Sequence, residues 1–155
     1  SKLLESNGCS FTTVITADHE DRIYTFTLDC TADSEGNLSF TVSDPQTLNG
    51  ITGKFSEAGG ALTFDDKVLA FPLLADGQLA PVCTPWILLN TLRSGYISAC
   101  GQEEENLRVY YDDSFENAVL HLEVLLNEDD IPLYGEIFWR ERRILSADIR
   151  NFVLL

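Results

Sequence analysis

Four cysteines, two histidines and 25 carboxylates are the side chains of this sequence with the most obvious capacity for chemistry. The cysteines are Cys9, Cys30, Cys83 and Cys100. None stands in a C-x-x-C pair, and two histidines are too few to complete a zinc set, so no metal site is expected. The segments on either side of Asp18-His19-Glu20-Asp21 read as the arms of a hairpin. A turn centred there sets Ala17 opposite Arg22, Ile15 opposite Tyr24 and Phe11 opposite Leu28, which brings Cys9 opposite Cys30. A cross-strand disulfide is open to such a pair if the Cα atoms lie within bridging reach. Cys83 and Cys100 flank a short helical segment and are a second candidate pair. The alternative for both pairs is buried thiols that pack as small hydrophobes, with the redox compartment deciding between them.

No nucleophile constellation accompanies these groups. The sequence has no G-x-S-x-G, no glycine-rich phosphate loop and no calcium loop at Asp29, Asp112 or Asn127. His19 sits in an acidic turn, and His121 shares a polar strand face with Glu123. Neither has the convergent partners that a general base requires. Nothing singles out one carboxylate pair at glycosidase spacing. Asn37-Leu38-Ser39 is a formal glycosylation sequon. The expectation is a non-enzymatic protein with no catalytic residue and no cofactor.

Charge narrows the partners. With 25 acids against 10 bases the formal charge is −15, a field that repels a phosphate backbone, so no nucleic-acid partner is expected. Arg140, Arg142, Arg143 and Arg150 lie close together in sequence near the C-terminus. They read as a solvated hairpin tip with one or two ion pairs, or as a docking patch for an anionic partner. The sequence has no methionine, so Ser1 is not an encoded start and a removed signal segment upstream is expected. The uncharged stretch from Gly77 to Leu92 is interrupted by Pro81 and Pro85 and is too short to span a membrane.

The elements that position these residues are mostly strands. Phe11, Thr13 and Ile15 alternate with more polar neighbours, as do Tyr24, Phe26 and Leu28, then Leu38, Phe40 and Val42. Ile51, Gly53 and Phe55 form a short strand, and Leu62 to Phe71 a hairpin through Asp65-Asp66. The segment from Pro72 to Pro81 reads as a loop. One helix follows, with Thr84 as its cap, Pro85 in its first position and Gly95 at its end. Leu88, Leu89 and Leu92 continue a stripe from Pro85, while Trp86 and Ile87 fall outside it, so the first turn should be covered on more than one side. Strands resume at Tyr96 and continue through Leu120, Leu122, Val124 and Leu126 to the closing segment from Ile144 to Leu154. The total is ten or eleven strands joined by short turns in one domain, 1–155: an antiparallel meander.

Six phenylalanines come one per strand: Phe11, Phe26, Phe40, Phe55, Phe64 and Phe71. On one face they make a broad apolar wall. Either a helix closes over it as core, or a concave sheet holds an apolar ligand there. Supply favours attention to the second: one short helix is little cover for so large a sheet, and uncovered apolar surface of several hundred Å² usually marks a binding site.

Several stretches together resemble the LolA/LolB-like lipoprotein-carrier superfamily, in its small Gram-positive lipoprotein form. They are the hairpin from Phe11 to Leu28 and Ser43-Asp44-Pro45-Gln46-Thr47-Leu48-Asn49-Gly50-Ile51 with its following Gly-Gly hairpin. The Pro85-Trp86-Ile87-Leu88-Leu89 helix and Arg143-Ile144-Leu145-Ser146-Ala147-Asp148-Ile149-Arg150-Asn151-Phe152 complete the set. The resemblance implies a mainly β (α+β) fold: a strongly curved antiparallel sheet, a half-barrel, capped by one or two short helices. It implies an extracytoplasmic protein, secreted or membrane-anchored, with an apolar cavity for a hydrophobic small molecule or acyl chain. Phe26, Phe40 and Phe55 would line that cavity from the sheet, and Trp86, Ile87 and Leu89 from the helix. The alternative is an envelope protein-interaction or structural module of the same fold with a filled core, docking on another protein or a membrane surface. Cys9 does not fit a lipid anchor, because Asn7-Gly8-Cys9 lacks the apolar run of a lipobox. The cavity arginine of Gram-negative carriers has no counterpart that can be placed here.

Overall fold

A computed structural model describes residues 6–18, 21–57, 59–64, 67–71, 74–75, 78–94, 96–115 and 118–155. The first six strands are β1 (Gly8–Asp18), β2 (Ile23–Asp33), β3 (Leu38–Asp44), β4 (Thr52–Ser56), β5 (Gly59–Phe64) and β6 (Lys67–Phe71). A two-strand hairpin, β7 (Leu74–Ala75) and β8 (Gln78–Leu79), precedes a 3-10 turn at Pro81–Cys83 and the helix α1 (Thr84–Ser94). The remaining strands are β9 (Tyr96–Glu103), β10 (Asn106–Phe115), β11 (Ala118–Leu126), β12 (Pro132–Trp139) and β13 (Arg142–Leu154).

Eleven of these strands form one antiparallel sheet in the order β6-β5-β4-β3-β2-β1-β13-β12-β11-β10-β9. The chain steps outward from β1 to the β6 edge, crosses to the opposite edge at β9, and steps inward until β13 pairs with β1. A connection between opposite edges must pass over one face, and α1 lies on that connection. The topology therefore places the helix over the sheet.

The sheet is open and curved. Neighbouring strands rotate by roughly 20–25°, and open sheets of about ten strands tend to curl. Register shifts between Thr27 and Leu28, Tyr110 and Tyr111, and Ile137 and Phe138 add bends. The concave face carries the alternate residues that the sequence marks as apolar. Phe11, Ile15, Leu28, Phe40, Phe55, Leu122, Val124, Ile137 and Leu145 are all buried there. Thr13, buried in the same row, donates its hydroxyl to the Asp148 carbonyl at 2.9 Å, so the core holds it without an unmet polar atom.

The first hairpin departs from the expected register. Cys9 stands opposite Ala32, Phe11 opposite Cys30 and Ile15 opposite Phe26, each partner two residues further along than a turn centred on His19-Glu20 gives. A slip of two leaves every side chain on its own face, which is why the face assignment survives while the partners change. Cys9 and Cys30 are buried thiols on diagonal rather than opposed sites. Cys83 is buried, and Cys100 is an exposed thiol. The expected loop from Pro72 to Pro81 contains the β7–β8 hairpin. Gly95, expected to end the helix, lies outside the described residues.

Thr84 has helical angles, φ −50° and ψ −51°, and does not cap the helix. Its hydroxyl donates to the Pro81 carbonyl at 2.6 Å, because the 3-10 turn carries the helical path back by one turn. The first turns of α1 are covered on all sides, as the apolar run Trp86-Ile87-Leu88-Leu89 requires: these side chains are 5%, 0%, 2% and 3% exposed. Leu88 rests on Gly135 of β12, where a methyl group would lie 2.8 Å from both leucine methyls. At the other end of α1, Arg93 donates to the Ser34 carbonyl at 2.6 Å and lies against Gly36, tying the helix to the β2–β3 turn.

Candidate apolar cavity

The helix does not cover the whole concave face. Beyond its last turn, a cavity of about 250 Å³ opens between Leu92 of α1, Ile97 of β9, and Leu107, Val109 and Tyr111 of β10. Leu126 at the end of β11, the segment Asp129-Asp130-Ile131-Pro132, and Phe152 and Leu154 of β13 complete its wall. Every wall residue except Asp129 and Asp130 is apolar or aromatic. Val109 and Tyr111 are buried, whereas Ile97 is 63% and Leu154 37% exposed, so the hollow is floored by β10 and open toward the β9 edge. Burial raises the Tyr111 phenol above its ordinary range and keeps it neutral. Phe152 stacks on Phe11 with centroids 5.8 Å apart, which fixes the inner wall.

The two aspartates are held by a small hydrogen-bonded turn. The Asn127 side-chain oxygen accepts from the backbone N–H of Asp129 at 2.8 Å and of Ile131 at 3.0 Å. The Asn127 N–H donates to the Ile131 carbonyl at 2.9 Å, and the Asp130 N–H donates to the Asn127 carbonyl at 3.1 Å. The signal for this turn is present in the sequence as an Asn followed by acids between two strands, yet its place at a cavity mouth is set by tertiary packing.

Of the residues expected to bind, Phe40, Phe55, Trp86, Ile87 and Leu89 are buried core side chains, and Phe26 is half-buried. Phe40 and Phe55 stack on each other at 5.6 Å. None of the six lines the cavity described above, which lies on the β9–β11 side. Phe64 and Phe71 have side chains outside the described residues. A second hollow, about 400 Å³, lies over the outer face of β2–β5; Phe40 and Ala61 share its wall with Asp29, Thr31, Ser39, Thr41, Thr52, Lys54 and Thr63, so it is more polar than the first.

A cluster of titratable groups lies on the convex face of β9–β13. His121 Nδ1 is 3.1 Å from Asp112, and its Nε2 is 3.8 Å from Glu123. The ring stacks against Tyr110 and tilts toward Phe138. Glu123 stands directly opposite Glu136, and Arg108 reaches both, at 4.0 and 3.6 Å, besides Glu103 at 2.7 Å. The hydrogen bond and charge of Arg108 hold the Glu103 carboxyl below its usual range. The basic hairpin tip is paired: Arg142 lies 3.6 Å from Asp18 and Arg143 3.1 Å from Glu136, with Arg140 over the Trp139 ring at 4.4 Å. Among the described residues no three His, Cys, Asp or Glu side chains are placed to hold a metal, and no helix is long and apolar enough to cross a membrane.

No protein-family model matches the sequence, and no curated protein matches it. Solved structures match it along nearly its whole length. An uncharacterized conserved protein from Thermus thermophilus aligns over 99% of this chain and 82% of its own, with a TM-score of 0.56 and 9% identity. A LolA superfamily protein from Nitrosomonas europaea aligns over 97% and 87%, with a TM-score of 0.53 and 9% identity. A putative outer membrane lipoprotein-sorting protein domain from Vibrio parahaemolyticus aligns over 96% and 85%, with a TM-score of 0.52 and 10% identity. With a helix laid across an open, curved antiparallel sheet and these structures superposing on it, the chain has the LolA-like fold.

Proposed function

We propose that this protein is a non-enzymatic, extracytoplasmic binding protein that takes an acyl chain or a similar hydrophobic molecule into the cavity beside α1. The observation that carries the reading is the apolar hollow left where the helix stops short of the β9 edge. Its fold, shared with a LolA superfamily protein and a lipoprotein-sorting domain, supports the extracytoplasmic setting. The volume of about 250 Å³ falls just below the roughly 300–1,000 Å³ usual for small-molecule sites and suits one short chain rather than several. Each methylene moved from water to such a wall contributes about 0.8 kcal/mol, so eight give roughly 6 kcal/mol before ordering costs. Phe40, Phe55, Trp86, Ile87 and Leu89 then act as the packed part of the concavity, while Phe26 is half-buried and outside the wall of this cavity.

A second reading is an envelope protein-interaction module, favoured by the near-complete burial of the α1 residues Trp86 to Leu89. Thermal unfolding with an uncharged single-chain amphiphile, monolauroylglycerol, separates the two. The carrier reading expects the melting temperature to rise with amphiphile concentration, and the rise to disappear in Leu107→Trp, whose indole fills the hollow. An unchanged melting temperature in the wild type, or an equal rise in a folded Leu107→Trp, removes it.

A further inference from the structure

The cavity wall includes two carboxylates, Asp129 and Asp130, and no basic side chain. Both belong to one turn, fixed by the four hydrogen bonds centred on Asn127 and Ile131. Glu128 lies beside them, exposed, and the whole chain carries a charge of −15. An amphiphile whose tail enters the hollow must leave its polar end near that mouth. A carboxylate or phosphate head would meet like charge on an arm that its hydrogen bonds hold in place, with no cation in the wall to offset it. An ammonium head would meet two opposite charges.

We infer that the cavity selects its ligand by head-group charge: it takes a single apolar chain that ends in a cationic group and disfavours the same chain ending in an anion. This rests on the cavity being the ligand site, as proposed above. Asp129 and Asp130 are the specificity-determining residues, and the apolar wall contributes equally to either ligand.

The test is titration calorimetry of the folded protein with dodecylammonium, dodecanoate and uncharged monolauroylglycerol, each below its micellar concentration. At about 20 mM salt the ammonium is expected to bind at least ~10-fold more tightly than the carboxylate, with the glyceride between them. At about 300 mM salt that ratio shrinks, because screening shortens to a few Å. The Asp129→Asn/Asp130→Asn protein is expected to bring the ratio to within ~2-fold at low salt and to change the glyceride affinity less than the ammonium affinity. Equal affinity for dodecanoate and dodecylammonium in the wild type overturns the inference. So does a preference that persists in the double variant, which would assign it to the general field of the acidic chain. Failure of all three probes to bind refutes the cavity reading itself; binding of the glyceride without charge preference refutes only the selectivity.

Discussion

The contact between Leu88 and Gly135 offers a quantitative check on how the helix is seated. Leu88 is 2% exposed, and its side chain occupies the space that a side chain at 135 would otherwise fill. Leu88→Ala removes buried atoms and leaves a hollow above a residue with nothing to fill it, so the loss is expected at about 3 kcal/mol, within the usual 2–5. For a chain of this size that lowers the melting temperature by roughly 6–12 °C. Gly135→Ala works in the opposite sense. Its methyl would stand 2.8 Å from both Leu88 methyls and 3.4 Å from Cγ, against an optimum of about 3.5–4.0 Å between carbons. Overpacking of that kind costs about 1–3 kcal/mol, offset by roughly 0.5–1 kcal/mol from replacing a strand glycine. In the Leu88→Ala background the clash is gone and the methyl partly refills the hollow, so Gly135→Ala becomes stabilising. Urea unfolding of the four proteins, followed by tryptophan fluorescence and far-ultraviolet dichroism, gives the coupling, expected at 1 kcal/mol or more in size by the usual range for contacting residues. Effects that add to within about 0.5 kcal/mol would show that the two residues do not share this contact.

Three further outcomes are expected. Arg108→Met should destabilise the protein by about 1–2 kcal/mol, since it exposes the repulsion of the opposed Glu123 and Glu136, and adding Glu136→Gln should recover part of the loss in urea titrations. Burial pushes the Cys9 thiol up from 9.0 to about 11, partly opposed by Arg93. Burial, with Asp29 and Cys9 nearby, also pushes Cys30 up. The native state therefore holds protons that the unfolded chain gives up above pH 9, so stability is full below that pH and falls as pH rises toward 11; the fall should be shallower in Cys9→Ala when urea midpoints are measured across that window. At neutral pH, alkylation of the native protein should label exposed Cys100 before buried Cys9 and Cys30, as peptide mass mapping will show; prior labelling of Cys30 would contradict its burial.

Strand identity was legible because burial on one face imposes a period of two: the row Leu120, Leu122, Val124, Leu126 is buried as its alternation requires. The helix was legible from Pro85 and the apolar stripe, and from the surplus of Trp86 and Ile87 that called for cover on every side. Register was less accessible. The connection from Asp18 to Ile23 admits more than one pairing that keeps the same faces, and alternation is blind to a slip of two. The cavity was least accessible. Periodicity says which residues face inward, but not which part of the inner face a crossing helix covers. The phenylalanines drew attention to β2–β4, yet rings such as Phe40 and Phe55 stack on each other in the core. The hollow lies instead between β10 and the end of β13, segments more than forty residues apart in sequence.

The meeting of the first and last strands at the middle of the sheet sets the order of assembly. A chain emerging from its N-terminus can build β1 to β6 early, but the inner margin of β1 stays bare until the final segment is made. Until then the two half-sheets each present a long unsatisfied backbone edge, the kind that recruits strands from other molecules. Closing a contact between residues as distant as Thr13 and Ile149 is intrinsically slow. Shortening β13 should accordingly split the molecule down its centre instead of trimming a margin, and the product should exchange strands or aggregate.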